Sequence, residues 1–131
     1  MRRPSVITPQ YVRADKRGTF VEILNDGRWA SVTCGTMKRG AVLGNHYHKR
    51  TKIFFYLFKG KAAVEIVHVI TGRRTRAVLG EHQGIMLEVN ESHAIRFATR
   101  SEFLMLKSTR YSPRDPDTYA FPVGGNGHGA G

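Results

Sequence analysis

Apolar residues along this chain come in short runs broken by turn-forming residues, and no window carries an apolar stripe of helical period. Strand-like stretches are expected over 19–24, 29–37, 41–48, 53–58, 62–70, 73–79, 85–89, 93–98 and 103–108. Lys59-Gly60-Lys61, Thr71-Gly72-Arg73, Asn90-Glu91-Ser92 and Thr99-Arg100-Ser101 sit between them as turns, and Asn25-Asp26-Gly27 reads as a hairpin joining the first two runs. Strands recurring about every ten residues predict an all-β barrel or sandwich. The run Ile53-Phe54-Phe55-Tyr56-Leu57-Phe58 is too short for a membrane span and is expected to be a central strand buried on both faces.

The two ends differ from this pattern. Residues 1–14 are expected to form an N-terminal arm or an added edge strand, residues 15–122 a single domain, and the glycine-rich stretch 123–131 a flexible tail, which makes His128 an unlikely site residue. With 40% apolar residues, 131 residues suffice for one core.

Charge adds a partner class. Lys and Arg number 21 against 10 Asp and Glu, a formal net charge of +11, which suits a polyanion such as a nucleoside diphosphate, a nucleic acid or an acidic polymer, or else a well-solvated surface. The lone Cys34 cannot close an internal disulfide, and the basic start lacks a signal-like apolar run. A cytoplasmic protein that does not enter membranes is the expectation.

The candidate chemistry is histidine. His46 and His48 lie two apart in Gly40-Ala41-Val42-Leu43-Gly44-Asn45-His46-Tyr47-His48, so on a strand their side chains share a face. His93 opens the alternating stretch His93-Ala94-Ile95-Arg96-Phe97, with Ile95 and Phe97 on its own side, which turns it toward the interior. The three are expected to converge, while His68 and His82 read as structural or surface residues.

These residues carry a family resemblance. Gly40 to His48 is similar to the first half of the first cupin motif, and the chain resembles cupins, all-β double-stranded β-helix (jelly-roll) barrels. Within them it resembles nucleotide-sugar epimerases and ketoisomerases, and more closely the C-terminal cupin domains of bifunctional capsular-polysaccharide enzymes. Asp15-Lys16-Arg17-Gly18-Thr19-Phe20, Leu43 to His48, and Tyr111-Ser112-Pro113-Arg114-Asp115-Pro116-Asp117-Thr118-Tyr119 carry the likeness, which spans about residues 15–122.

Four departures bear on chemistry. Where the motif continues with a glutamate ligand this chain has Lys52 and Ile53, so a metal would have three protein ligands, His46, His48 and His93. The second motif reads Glu88-Val89-Asn90-Glu91-Ser92-His93, with Asn90 in a glycine slot that asks for the left-handed conformation. Leu43 replaces an arginine, with Lys38 or Arg39 as substitutes for the lost phosphate contact. Met105 stands where double epimerases have a tyrosine, leaving Tyr56, Tyr111 or Tyr119 as acids.

The resemblance implies a homodimeric epimerase or ketoisomerase acting on a nucleotide-diphosphate-linked keto-deoxysugar in polysaccharide biosynthesis. His46 or His48 would remove the proton beside the ketone, with Tyr56 and Tyr111 as candidate acids and Arg17, Lys38, Arg39, Lys52 and Tyr119 as substrate contacts. No organic cofactor is implied; a divalent ion (zinc, nickel or iron) on the three histidines, or an inward Lys52, would stabilise the enolate oxygen. A metal-dependent cupin of the Fe(II) oxygenase type and a non-catalytic module for an anionic sugar are the alternatives. Nucleic acid fits this reading poorly.

Overall fold

The structure, a computed structural model, describes residues 5–123. Eleven strands and no helix are found there: β1 (Tyr11–Asp15), β2 (Gly18–Glu22), β3 (Ser31–Met37), β4 (Val42–Tyr47), β5 (Ile53–Lys59), β6 (Ala62–His68), β7 (Arg74–Leu79), β8 (Gln83–Leu87), β9 (Glu91–Phe97), β10 (Ser101–Lys107) and β11 (Tyr119–Ala120). Every ladder among them is antiparallel. One sheet has the order β3-β10-β5-β8 and the other β11-β4-β9-β6-β7, while β1 and β2 pair with each other. The two large sheets face one another as a jelly roll, as expected.

Alternation sets the core. Ile53, Phe55 and Leu57 of β5 meet Phe103 and Met105 of β10, Ile85 and Leu87 of β8, Val64 and Ile66 of β6, and Ile95 and Phe97 of β9. Phe55, Phe97 and Phe103 form a ring cluster with centroids 5.6–6.3 Å apart, and full burial of such a side chain is worth about 1.5–3 kcal/mol. The alternate residues Phe54 and Tyr56 are also fully buried, so β5 is covered on both faces as its composition suggests.

Two expectations, the Asn25-Asp26-Gly27 hairpin and a tail starting at residue 123, need correction. Asn25-Asp26-Gly27 does not join a hairpin: β2 pairs with β1, and β3 with β10. Gly27 does turn the chain, at φ 83°, but Trp29 folds back to donate its indole N–H to the Asp26 carbonyl, 2.9 Å away, and the chain leaves for another sheet. Residues 11–14 run in β1, which continues to Asp15, and Ile7 bridges Gly84 at the free edge of β8. Val123 is buried and donates its amide to Asn45 Oδ1 at 2.8 Å, so the C-terminal tail does not begin there. Residues 124–131, with His128, lie outside the described residues.

One irregularity decides where the histidines point. Ala41 and Leu43 pack on the core, so unbroken alternation along β4 would send His46 and His48 to the outer face. The β4–β9 register instead steps from Gly44↔Ala94 to His46↔His93, leaving Asn45 as a bulge. Gly44 (φ 106°) and Asn45 (φ 59°) both take left-handed backbone, and from there the inner face passes to His46 and His48. A Cβ on Gly44 would lie 2.3 Å from the carbonyl oxygen of His93, so only glycine fits.

Candidate functional site

β4 supplies His46, the residue just past its end is His48, and β9 supplies His93 directly opposite His46. One ring nitrogen from each falls within 4.8 Å of the others, and all three residues are buried. The rings meet edge to face, with His46 centred 5.0 Å from His48 and 4.9 Å from His93. Asn90 holds the turn before β9 at φ 62°, the left-handed conformation its position asked for.

Asp117 fixes His48. Its carbonyl oxygen lies 2.6 Å from Nδ1 of His48 and can only accept, so Nδ1 carries the proton and Nε2 the lone pair. Its carboxylate accepts from the amides of Lys49, Arg50 and Thr51, each at 2.9 Å, and from the Thr51 hydroxyl at 2.8 Å. Burial alone would raise the Asp117 pKa, but these hydrogen bonds and nearby Arg50 hold it below the usual carboxylate range. Nε2 of His48 and Nδ1 of His93 are buried without a hydrogen-bond partner, so a ligand at this point would satisfy them.

Electrostatics keep the triad neutral. Burial, then the neighbouring His48 and Lys107, push the His46 pKa down to about 4. Burial and the charges of His46 and His48 push His93 down to about 3. His48 is lowered too, mainly by burial, although its bond to Asp117 works the other way. At neutral pH all three are bases or ligands, not acids.

The triad opens past His48 into a cleft of about 270 Å³ that Arg50, Thr51, Lys107, Thr109, Arg110, Tyr111, Asp115 and Asp117 help to line. Sequence reasoning missed several of these. Lys107 is on the inner face of β10, in register with Ile53 and two positions beyond Met105, and that alternation was available in the sequence. Asp117 lies 69 residues from His48, with no local pattern to connect them. The bulge at Asn45 had a signal in the Gly-Asn pair.

Among the expected site residues, Tyr111 lines the cleft and is 70% exposed. Tyr56 is on the opposite face of β5 from the core-facing Phe55 and bonds His82 Nδ1 at 2.6 Å, so it does not reach the triad. Tyr119 pairs with Tyr47 and stacks on it at 5.4 Å, on the outer face of the sheet, with the Lys49 ammonium over its ring. Lys52 directs its ammonium to the Trp29 ring, 5.7 Å away. Lys38 and Arg39 precede β4 while His46 and His48 lie at its other end, which puts about 20 Å of strand between them, and the neighbouring Gly40 bonds Phe97 at the far end of β9. Arg17 caps the β1–β2 turn, holding Asp15 at 2.7 Å, in a hairpin that joins neither large sheet.

A jelly roll that gathers three histidines inside one end is a cupin. The family model for the polysaccharide biosynthesis C-terminal domain matches residues 13–119, and the chain belongs to that family. It is 29% identical over 117 residues to a UDP-2-acetamido-2,6-beta-L-arabino-hexul-4-ose reductase from Pseudomonas aeruginosa, a match covering 86% of this chain and 32% of that protein. In fold it is similar to the capsular polysaccharide assembling protein CapF from Staphylococcus aureus, with a TM-score of 0.68, 24% identity, and coverage of 86% of this chain and 34% of that one. It is also similar to dTDP-4-dehydrorhamnose 3,5-epimerase from Sulfolobus tokodaii, with a TM-score of 0.73, 22% identity, and coverage of 85% and 73%. The chain spans about one third of the length of the first two. Among the described residues no helix is long and apolar enough to cross a membrane.

Proposed function

We propose that the chain is an epimerase or ketoisomerase acting on a nucleotide-linked keto sugar in polysaccharide biosynthesis. The observation that carries this is the bond from His48 Nδ1 to the Asp117 carbonyl, which presents an unprotonated Nε2 in a buried site beside a basic cleft. The relatives' names, which denote nucleotide-linked 4-keto sugars or an enzyme of one, support the substrate class.

The chemistry follows from that geometry. A carbon beside a ketone is too weak an acid to ionise unaided, and a base at contact distance typically contributes about 10²–10⁴-fold. His48 accepts the proton on Nε2 while its Nδ1–H stays on Asp117, which steadies the imidazolium that forms. Return of a proton to the other face gives an epimer, and return to a neighbouring atom gives an isomer. Tyr111 at the cleft is the tyrosine placed to donate it. Arg50 and Arg110 at the rim suit a diphosphate, although Arg50 already holds Asp115 at 2.7 Å.

The three imidazoles also fit a divalent ion: their nitrogens are close enough to share one, they are neutral, and two are unpartnered. His46, His48 and His93 would hold it, and it would polarise a ketone oxygen as a Lewis acid.

A homodimer accompanies this reading. An isolated two-stranded hairpin is marginal in water, yet β1–β2 leaves Tyr11 and Phe20 on one face and Val12 on the other more than half exposed, apolar surface that a second copy would cover. The enzyme reading is tested by incubating the protein with UDP- and dTDP-linked 4-keto sugars in deuterated water and following solvent deuterium into carbon positions. Incorporation that disappears in His48→Gln supports it; no incorporation with any sugar of the panel sinks it.

A further inference from the structure

We propose that Lys107 is a catalytic residue whose ammonium stabilises the enolate oxygen formed in the proposed reaction, on which this inference rests. Two observations lead to it, its position on β10 and the cleft it lines. Along β10, Phe103, Met105 and Lys107 fall on one face, and the first two are core residues, so Lys107 continues the inner face to its end. Its ladder partners are Ile53 and Ser31, at the end of the four-stranded sheet that lies across from the histidines. It lines the same cleft as His48 and Asp117.

Its charge is available. Lys107 forms no ion pair among the described residues, although Arg13, Arg17, Arg50 and Arg100 each do. Its positive charge helps to lower the pKa of His46, His48 and His93 alike, behind the larger effect of burial. An inward cation held in no ion pair, at the mouth of a buried neutral site, is arranged to meet an anion that appears there.

The step balances without a co-reactant. The C–H bond beside the ketone breaks, its proton goes to Nε2 of His48, and its electron pair forms the C=C bond while the carbonyl pair moves onto oxygen. The ammonium donates a hydrogen bond to that oxygen and withdraws as reprotonation at carbon restores the ketone. Lys107 thereby supplies the positive charge that a metal would otherwise bring, and its presence disfavours a dication on the same three imidazoles.

The test compares wild type, Lys107→Met and Lys107→Arg, each dialysed against a chelator and checked for wild-type circular dichroism, in two assays: deuterium exchange on the UDP- and dTDP-linked 4-keto sugars, and binding of UDP and dTDP alone. Lys107→Met is expected to lose about 10²–10³-fold in exchange kcat, as for loss of one oxyanion donor, with nucleotide Kd within about threefold of wild type and partial recovery in Lys107→Arg. A second expected result is that zinc, followed by competition with a chromophoric chelator, binds Lys107→Met at least about tenfold more tightly than wild type. Exchange retained in Lys107→Met, exchange lost only in step with nucleotide affinity, or wild-type exchange abolished by the chelator would each overturn the proposal. Wild type without exchange on any sugar refutes the reaction itself, a result distinct from a silent Lys107→Met beside an active wild type.

Discussion

Asp117 holds His48 with its backbone and the three residues after His48 with its side chain: the carbonyl oxygen is 2.6 Å from Nδ1, and the carboxylate caps the amides of residues 49–51. One residue thus sets both the tautomer of the candidate base and the path of the chain leaving it. Removing the carboxylate strands three amides, while the Thr51 hydroxyl keeps its bond to the Thr109 hydroxyl at 2.6 Å. Each buried, unmet group costs about 1–3 kcal/mol, so Asp117→Ala is expected to lose at least about 3 kcal/mol in denaturant unfolding and Asp117→Asn roughly half as much. A loss under 1 kcal/mol for Asp117→Ala would show that water replaces the cap.

Stability should fall in mild acid. His46 and His93 are depressed from 6.5 to about 4 and about 3 in the folded protein. Below pH 6.5 the unfolded chain therefore binds protons that the folded chain refuses. The neutral-pH stability is complete above 6.5 and is lost as pH drops toward 3, on the order of 8 kcal/mol in total. Asp117, also depressed, adds to the loss in the same direction. Guanidinium titrations of chelator-treated protein at pH 7, 5.5 and 4 measure this; a flat profile would remove the basis for a neutral triad.

Catalysis depends on the same neutrality. His46→Ala and His48→Ala are each expected to lower deuterium exchange by at least about 10²-fold, and wild-type exchange should persist below pH 6, where an ordinary histidine would be protonated. The acid limb of the kcat/KM profile reads this directly. If both variants exchange at the wild-type rate while folding normally, the binding-module reading takes over.

Gly44→Ala probes the packing beneath the triad. The new Cβ meets the His93 carbonyl in a left-handed backbone, so a cost of about 2–4 kcal/mol is expected, combining strain with displacement of His93. Thermal unfolding and exchange should fall together; a variant as stable as wild type would mean that β4 and β9 separate easily.

The exposed hairpin makes the oligomeric state testable. Val12→Asp with Phe20→Glu should convert a dimer to a monomer in sedimentation velocity without unfolding the jelly roll, whose core contains neither residue. A monomeric wild type would end the dimer proposal.

The fold was legible because alternation and turn residues are local, and the buried β5 showed it best: six apolar residues in a row leave little choice but burial on both faces. His93 was legible for the same reason, through Ile95 and Phe97 on its own side. What was not legible depended on distance along the chain. Lys38 and Arg39 lie near His46 in sequence, but a strand carries them to the other end. Lys52 and Lys107 are register neighbours of each other's strands, yet neighbouring positions on a strand face opposite ways, and Lys107 alone shares the core parity. Asp117 reaches His48 through a fold that no short window records.

The Asn45 bulge gives this barrel a hereditary switch. Substitutions at Gly44 and Asn45 that force extended backbone would remove the bulge at unchanged length and turn His46 and His48 outward, while Leu43, Ile95 and the aromatic cluster kept their places. A lineage could silence such a site without dismantling its scaffold, or regain it by restoring the glycine-asparagine pair. Related barrels with intact cores and unequal chemistry are then best compared first at these two positions, before any histidine is counted.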